Sequence, residues 1–256
     1  MSIIIKKEPQ ICAMREAGGV VARVLELLRA SVEPGMTTKE LDALAEKETV
    51  ALGAKPSFKG YRGYPGCLCV SINEEIVHGI PGERVVKEGD IVSLDFGAIM
   101  DGYNADAAVT VAVGEPGLRA RRLMEATGGA LSAGIAAARA GGRLGDVSYA
   151  IQSFAERRGF GIIREYSGHG IGKALHEDPL IPNVGEAGTG PELKIGMALA
   201  IEPMLTLGGW RTRVGADHWV VSTADGSLAA HFEHTVVITP GQAEVLTLIS
   251  DGGRNG

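Results

Sequence analysis

The chain has 256 residues, 45% hydrophobic and 22% charged, with a formal net charge of -6, a pI near 5.6 and a mean hydropathy of +0.11. That length and apolar content suffice for a sizeable core, while the acid excess excludes the basic footprint by which proteins hold nucleic-acid backbones or anionic membrane surfaces. No window offers about 18 uninterrupted apolar residues, and the isoleucine run near the N-terminus is too short for a secretory signal, so no membrane partner and a cytoplasmic location are expected.

Residues 10 to 30, QICAMREAGGVVARVLELLRA, place apolar side chains at helical spacing and end at EPGM. A second helix opens at Thr37, whose hydroxyl can accept from the backbone of Glu40 while the Glu40 side chain reaches back, and it runs to Gly53. Residues 67 to 80 predict a hairpin around Asn73-Glu74, and residues 90 to 113 predict another around Asp101-Gly102. Cys67 and Cys69 fall in the first of these. With Cys12 they make an odd number, no second cysteine pair completes a zinc set, and they read as reduced, packed thiols, with Cys69 free to line a pocket. Two further helices follow, LRARRLMEATGGALSAGIAAARA to about Gly141 and DVSYAIQSFAERRGF. From Ile162 the chain becomes strand-like and glycine-punctuated, and SDGGRNG reads as a frayed tail. No low-complexity linker divides it, which predicts one domain over 1–250, with halves of roughly 1–125 and 126–250 and a tail at 251–256.

The halves repeat one another. Gly89 precedes Asp95 by six residues in an apolar strand, and Gly196 precedes Glu202 by the same interval. Downstream, Asp106 leads into AAVTVAVG and Glu233 into HTVVITPG; upstream, His78 and His169 each open a His-Gly-Ile turn. The order agrees although the spacings differ, since the acids lie 11 residues apart in the first half and 31 in the second. These matches predict two diverged α/β halves related by a pseudo-twofold axis, each giving a histidine turn and two acids to a central site.

Asp95 and Asp106 sit on opposite arms of a hairpin with an even loop, so they share a face. Two close carboxylates repel, and one would hold a proton unless a cation lies between them. A shared proton, as in a paired-carboxylate protease, is one solution. The further donors Glu202, Glu233 and His169 favour another: four negative charges and an imidazole suit two divalent cations, of Mn, Fe, Co or Zn rather than a thiolate-seeking ion.

The motifs MREAGGVVARVLELL, VEPGMTTKELD, GYPGCLCVSINEEIVHGIP, SLDFGAIMDGYNADAAVT, SGHGIGKALHEDP, MALAIEPM and SLAAHFEHTVVI occur in that order over nearly the whole chain. Together they resemble the type I methionine aminopeptidases, the bacterial-like class of the pita-bread fold. The resemblance implies an α+β fold with a central antiparallel sheet and helices on its outer face. It implies Asp95, Asp106, His169, Glu202 and Glu233 as metal ligands, with Glu202 also a proton shuttle. His176 would polarise the scissile carbonyl and His78 would hold the substrate or its leaving amide. Tyr61, Tyr64, Cys69 and Trp219 match positions near a methionine side-chain pocket, whose polarizable surfaces suit a thioether. The implied reaction is hydrolytic removal of initiator methionine from nascent chains with a small second residue. The implied enzyme is a monomer that makes, at most, transient contact with the ribosome.

Leu175 departs from the aromatic residue family members often carry beside the second histidine, His231 is an unusual neighbour of a ligand, and GGWRTRVGADHW, with Trp210, predicts a hairpin at the rim. Between His169 and Glu202 there is no insertion of the kind that marks the type II class. A proline-specific peptidase of the same fold and a pita-bread protein that binds peptides without catalysis are the alternatives.

Overall fold

The computed structural model describes residues 2–248. The expected tail at 251–256 lies outside the described residues. Helix α1 (Glu8–Ser31) and helix α2 (Thr38–Ala51) open the chain. The predicted cap of α2 is present in both directions: Glu40 N donates to Thr37 Oγ1 at 3.2 Å and Thr37 N donates to Glu40 Oε2 at 2.7 Å. Short strand β1 (Lys55–Pro56), a 3-10 turn at Tyr61–Gly63, β2 (Leu68–Ile72) and β3 (Glu75–Val77) lead into the long pair β4 (Ile91–Met100) and β5 (Tyr103–Ala112). Helices α3 (Leu118–Ala137) and α4 (Leu144–Glu156) follow. The rest is strand: β6 (Gly161–Ile162), β7 (Ser167–Gly170), β8 (Glu177–Pro182), β9 (Ala198–Ile201), β10 (Met204–Thr206), β11 (Thr212–Val214), β12 (Val221–Thr223), β13 (Ala229–His231), β14 (Glu233–Val237) and β15 (Glu244–Val245).

Among the described residues the main sheet has nine strands, ordered β1-β4-β5-β14-β9-β7-β8, with β2 on β4 and β15 on β14. Every pairing in it is antiparallel. Each half of the chain lays a helix pair on its strands. Ala17, Val21, Val24 and Leu28 of α1 pack with Leu94, Phe96, Ala105 and Ala107 of β4 and β5. Leu123, Ala130, Val147 and Ile151 of α3 and α4 pack with Leu199, Ile201 and Val236 of β9 and β14. Both helix pairs bury their apolar stripes against one face, which leaves the opposite face to the site. The halves meet where β5 pairs β14. No helix among the described residues is long and apolar enough to cross a membrane.

Three expectations need correction. β2 and β3 flank the predicted turn, with Asn73 at φ 61°, but they do not form a hairpin ladder: β2 pairs β4 and β3 pairs β12 in a separate three-stranded sheet. The first half of this segment is taken by the main sheet and the second by the rim. Helix α3 stops at Ala137 rather than near Gly141, because the chain turns there and Gly141 N donates to Leu193 O instead of continuing the helix. His169 belongs to strand β7, not to a turn, whereas His78 sits at φ 62° just beyond β3.

Candidate metal centre

The β4–β5 register pairs Asp95 with Ala108 and Gly97 with Asp106 around the Asp101-Gly102 turn, whose residues lie at φ 48° and 77°. Asp95 and Asp106 therefore share a face, as the odd sum of their positions predicts. Ala108 is also opposite Glu233 on β14, which places that acid on the same face. On the far side of β14, Thr235 and His169 are both opposite Ala200 of β9, so His169 joins this face as well. Glu202 follows the end of β9 by one residue. The adjacent strands β4, β5, β14, β9 and β7 thus bring Asp95, Asp106, Glu233, Glu202 and His169, respectively, to one cavity of about 180 Å³.

Donor atoms of Asp106, His169 and Glu233 lie within 4.8 Å of one another. His169 Nε2 stands 3.6 Å from Asp106 Oδ2 and 3.6 Å from Glu202 Oε1. Its Nδ1 lies 2.8 Å from Gly170 O, and because a carbonyl only accepts, that nitrogen carries the proton and Nε2 presents its lone pair to the acids. Burial lowers the His169 pKa to about 4 and keeps the ring neutral. The same burial raises Asp106 to about 6, against the pull of His176 and the Thr235 hydroxyl. Asp95, Glu202 and Glu233 rise well above the carboxylate range, first through burial and then through the charge of Asp106, with Asp95 adding to Glu202 and both of these to Glu233.

This donor set fits a metal. Four acids crowded together retain protons, whereas a divalent cation reverses the balance and favours every ionised carboxylate. Asp95 Oδ1 is buried with no hydrogen-bond partner among the described residues, a lone pair the fold leaves for a cation. Oxygen-rich ligation with one imidazole is the chemistry of a divalent ion.

His176 stands at the mouth of the cavity, its ring 4.1 Å from that of His169 and its Nδ1 2.9 Å from the Tyr61 hydroxyl. Burial, then the neighbouring His169, push its pKa down, and burial does the same to His78. The His78 ring meets the rings of Trp219 and Tyr166 edge-on. Tyr64 meets Trp219 in the same way, and its hydroxyl donates to Gly79 O at 2.8 Å. Tyr61, Tyr64, Cys69 and Trp219 all line the cavity, and Leu175 closes part of the same wall.

The sequence singled out neither Phe58, Arg62, Val77, Tyr166, Ser167 nor Met204, which also line the cavity. It also passed over Thr235, whose hydroxyl lies 3.2 Å from Asp106 Oδ1; the available signal was its position two residues after Glu233, which puts it on the same face. His231, noticed as unusual, is 1% exposed beneath the acids, with Nε2 3.6 Å from Glu202 Oε2 and 3.9 Å from Glu233 Oε2. Burial lowers its pKa to about 3. The predicted rim hairpin is β11–β12, with Trp210 before it and the Arg164 and Arg211 guanidinium groups each 5.1 Å from its ring.

Comparison with known proteins agrees with this geometry. Residues 12–240 match the model of metallopeptidase family M24. The methionine aminopeptidase of Clostridium acetobutylicum is 49% identical over 247 residues, spanning 96% of this chain and 99% of that relative. Methionine aminopeptidase 1 of Bacillus subtilis is likewise 49% identical, over 96% of this chain and 100% of the relative. Among solved structures, methionine aminopeptidase from Thermotoga maritima superposes with a TM-score of 0.95 at 49% identity, covering 96% of this chain and 100% of that one. The prolidase of Pyrococcus furiosus shares the fold at a TM-score of 0.79 and 25% identity, with 95% of this chain but only 65% of the prolidase covered. With its family model matched over most of its length and its carboxylates and histidine gathered on one sheet face, the chain belongs to metallopeptidase family M24.

Proposed function

We propose that this chain is a methionyl aminopeptidase that releases N-terminal methionine from nascent chains whose second residue is small. The carrying observation is that adjacent strands of a single sheet each deliver one donor to the floor of a cavity whose walls are aromatic, aliphatic and thiol. The identity to proteins named methionine aminopeptidase, nearly twice that to the prolidase, supports this reading over a proline-specific one.

Asp95, Asp106, His169, Glu202 and Glu233 would hold two divalent ions drawn from Co, Mn, Fe and Zn. When bound, such a pair supplies a Lewis acid for the carbonyl and a water of lowered pKa. Glu202 accepts a proton from the attacking water and delivers it to the departing amine. His176, at the mouth with Tyr61 fixing its ring, directs an N–H to the carbonyl oxygen as charge develops there. His78 holds the leaving amide, and Tyr64, Cys69 and Trp219 receive the methionine thioether. The acidic floor suits a free α-amine, which is why the substrate is a chain terminus. Transient contact with the ribosome, action as a monomer and a cytoplasmic location complete the reading.

Hydrolysis of Met-Ala-Ser and Ala-Pro-Ala by the metal-loaded protein tests it. The expected result is methionine release from the first peptide and no appreciable cleavage of the second. Preferential cleavage before proline would reverse the assignment.

A further inference from the structure

We propose that Lys6 is a positioning residue for His176, acting through Glu177; the inference rests on the proposed role of His176. Lys6 Nζ and Glu177 Oε2 are 2.7 Å apart across 171 residues of sequence, with side-chain exposures of 2% and 7%. A lysine so deeply enclosed is rare without a partner, and this partner is the next residue after His176.

The loop between β7 and β8 carries His176 and is anchored at two places. Its start is held by Asn104 of β5, whose backbone N–H donates to Gly172 O at 2.8 Å and whose side-chain amide donates to Lys173 O at 3.1 Å. Its end is held by Glu177, which divides its oxygens: Oε1 accepts from Ala174 N at 3.3 Å, and Oε2 accepts from Lys6. Lys6 is itself pinned, since its backbone N–H donates to Gly196 O at 2.8 Å. Glycine is required at Gly196, where φ is 87° and the neighbour is backbone, while Gly172 leaves room for the ends of the two paired side chains. A Cβ on Gly172 would lie 2.7 Å from Glu177 Oε1 and 2.7 Å from Lys6 Cε, and one on Gly196 would lie 2.5 Å from Lys6 O. The segment preceding α1 therefore crosses under the His176 loop and fixes the carboxylate that closes it. The His176 ring meets the Tyr61 hydroxyl through its Nδ1 at 2.9 Å, a contact the ring keeps only while the loop backbone holds its place.

A purely structural staple would contribute stability and nothing to the reaction. The two roles separate in the full-length, Mn(II)-loaded protein through Lys6→Met, Lys6→Met with Glu177→Gln, and Lys6→Met with Glu177→Leu. Neither double variant leaves a buried unpaired charge, so folding is protected. Only the glutamine retains an acceptor for Ala174 N. With Met-Ala-Ser as substrate, the leucine double variant is expected to lose about 10- to 100-fold in kcat, as a small misplacement of a reacting group does, with KM and Mn(II) affinity near wild type. The glutamine double variant keeps an acceptor for Ala174 N but loses the Lys6 anchor, so it is expected to recover only part of that rate and to stay about 5-fold or more below wild type; wild-type kcat in it would overturn the role of Lys6. In the leucine variant the His176 ring-nitrogen NMR signals, assigned by their loss in His176→Ala, should also shift away from the Tyr61-bonded form. A leucine double variant with wild-type kcat and unshifted His176 signals would overturn the proposal while leaving the role of His176 intact. Full activity in His176→Ala would instead overturn the role on which the proposal rests.

Discussion

The Thr235 hydroxyl donates to the carbonyl of Asp106 at 2.8 Å, lies 3.2 Å from Asp106 Oδ1, and accepts from Asp106 N at 3.0 Å. One side chain on β14 thereby fixes both the backbone and the carboxylate of a proposed ligand on β5. Thr235→Val preserves the shape and removes these bonds, so metal affinity should fall by about 10- to 100-fold, read by competition against a chelating indicator. An unchanged affinity would mean that the sheet alone orients Asp106. The acids themselves were legible at this scale, because an ionisable side chain in an apolar strand has to be explained. Thr235 was not, since threonine is an ordinary strand residue whose role appears only once its partner strand is known. His231 was legible as an oddity, but its depth beneath Glu202 and Glu233 depends on a pairing of β13 with β10 that no local pattern reveals.

At the scale of elements, Gly79 shows how the turn bearing His78 is built. A Cβ there would meet Val70 O at 2.1 Å, and Val70 N donates to Gly79 O at 2.9 Å. Gly79→Ala must push β2 and the turn apart, costing about 1–3 kcal/mol as overpacking does. Because His78 is adjacent, kcat should fall as well; denaturant unfolding and peptide turnover read the two effects separately, and wild-type values in both would refute the tight contact. The β4–β5 hairpin was readable in full because its turn residues and its alternation are local. The departure of β3 to β12 and the docking of β5 on β14 were not, because both partners lie far along the chain. The repeat did anticipate two acids per half. It could not show that Met204–His231, carrying β10 to β13, fills the second half's longer interval where the first half has a two-residue turn.

For the whole molecule, the concentration of buried acids couples stability to pH and metal. The folded-state pKa of Asp106 is raised to about 6 and those of Asp95, Glu202 and Glu233 are raised well above their ordinary values, so the folded protein binds protons that the unfolded chain releases. Stability from a raised acid is present at low pH and lost as pH rises through the folded value. His169, His231 and His234 act oppositely: their folded values are lowered to about 4, 3 and 4, so their contribution is lost as pH falls below the unfolded value near 6.5. Between about pH 4 and 6.5 the two sets oppose one another, whereas a divalent ion displaces the protons that the folded acids retain. The gain in Tm from a saturating divalent ion should therefore be larger at pH 8 than at pH 5. An equal gain at both values would contradict the carboxylate shifts.

Metal-dependent release of methionine from a free N-terminus ties the residue set, the sheet and the cavity together, and it is measured directly by following Met-Ala-Ser hydrolysis through chelation and reconstitution. Removal of the metal should abolish release, and addition of Mn(II) or Co(II) should restore it in the wild-type protein but not in Glu233→Ala. Methionine release that persists both after chelation and in Glu233→Ala would contradict the account.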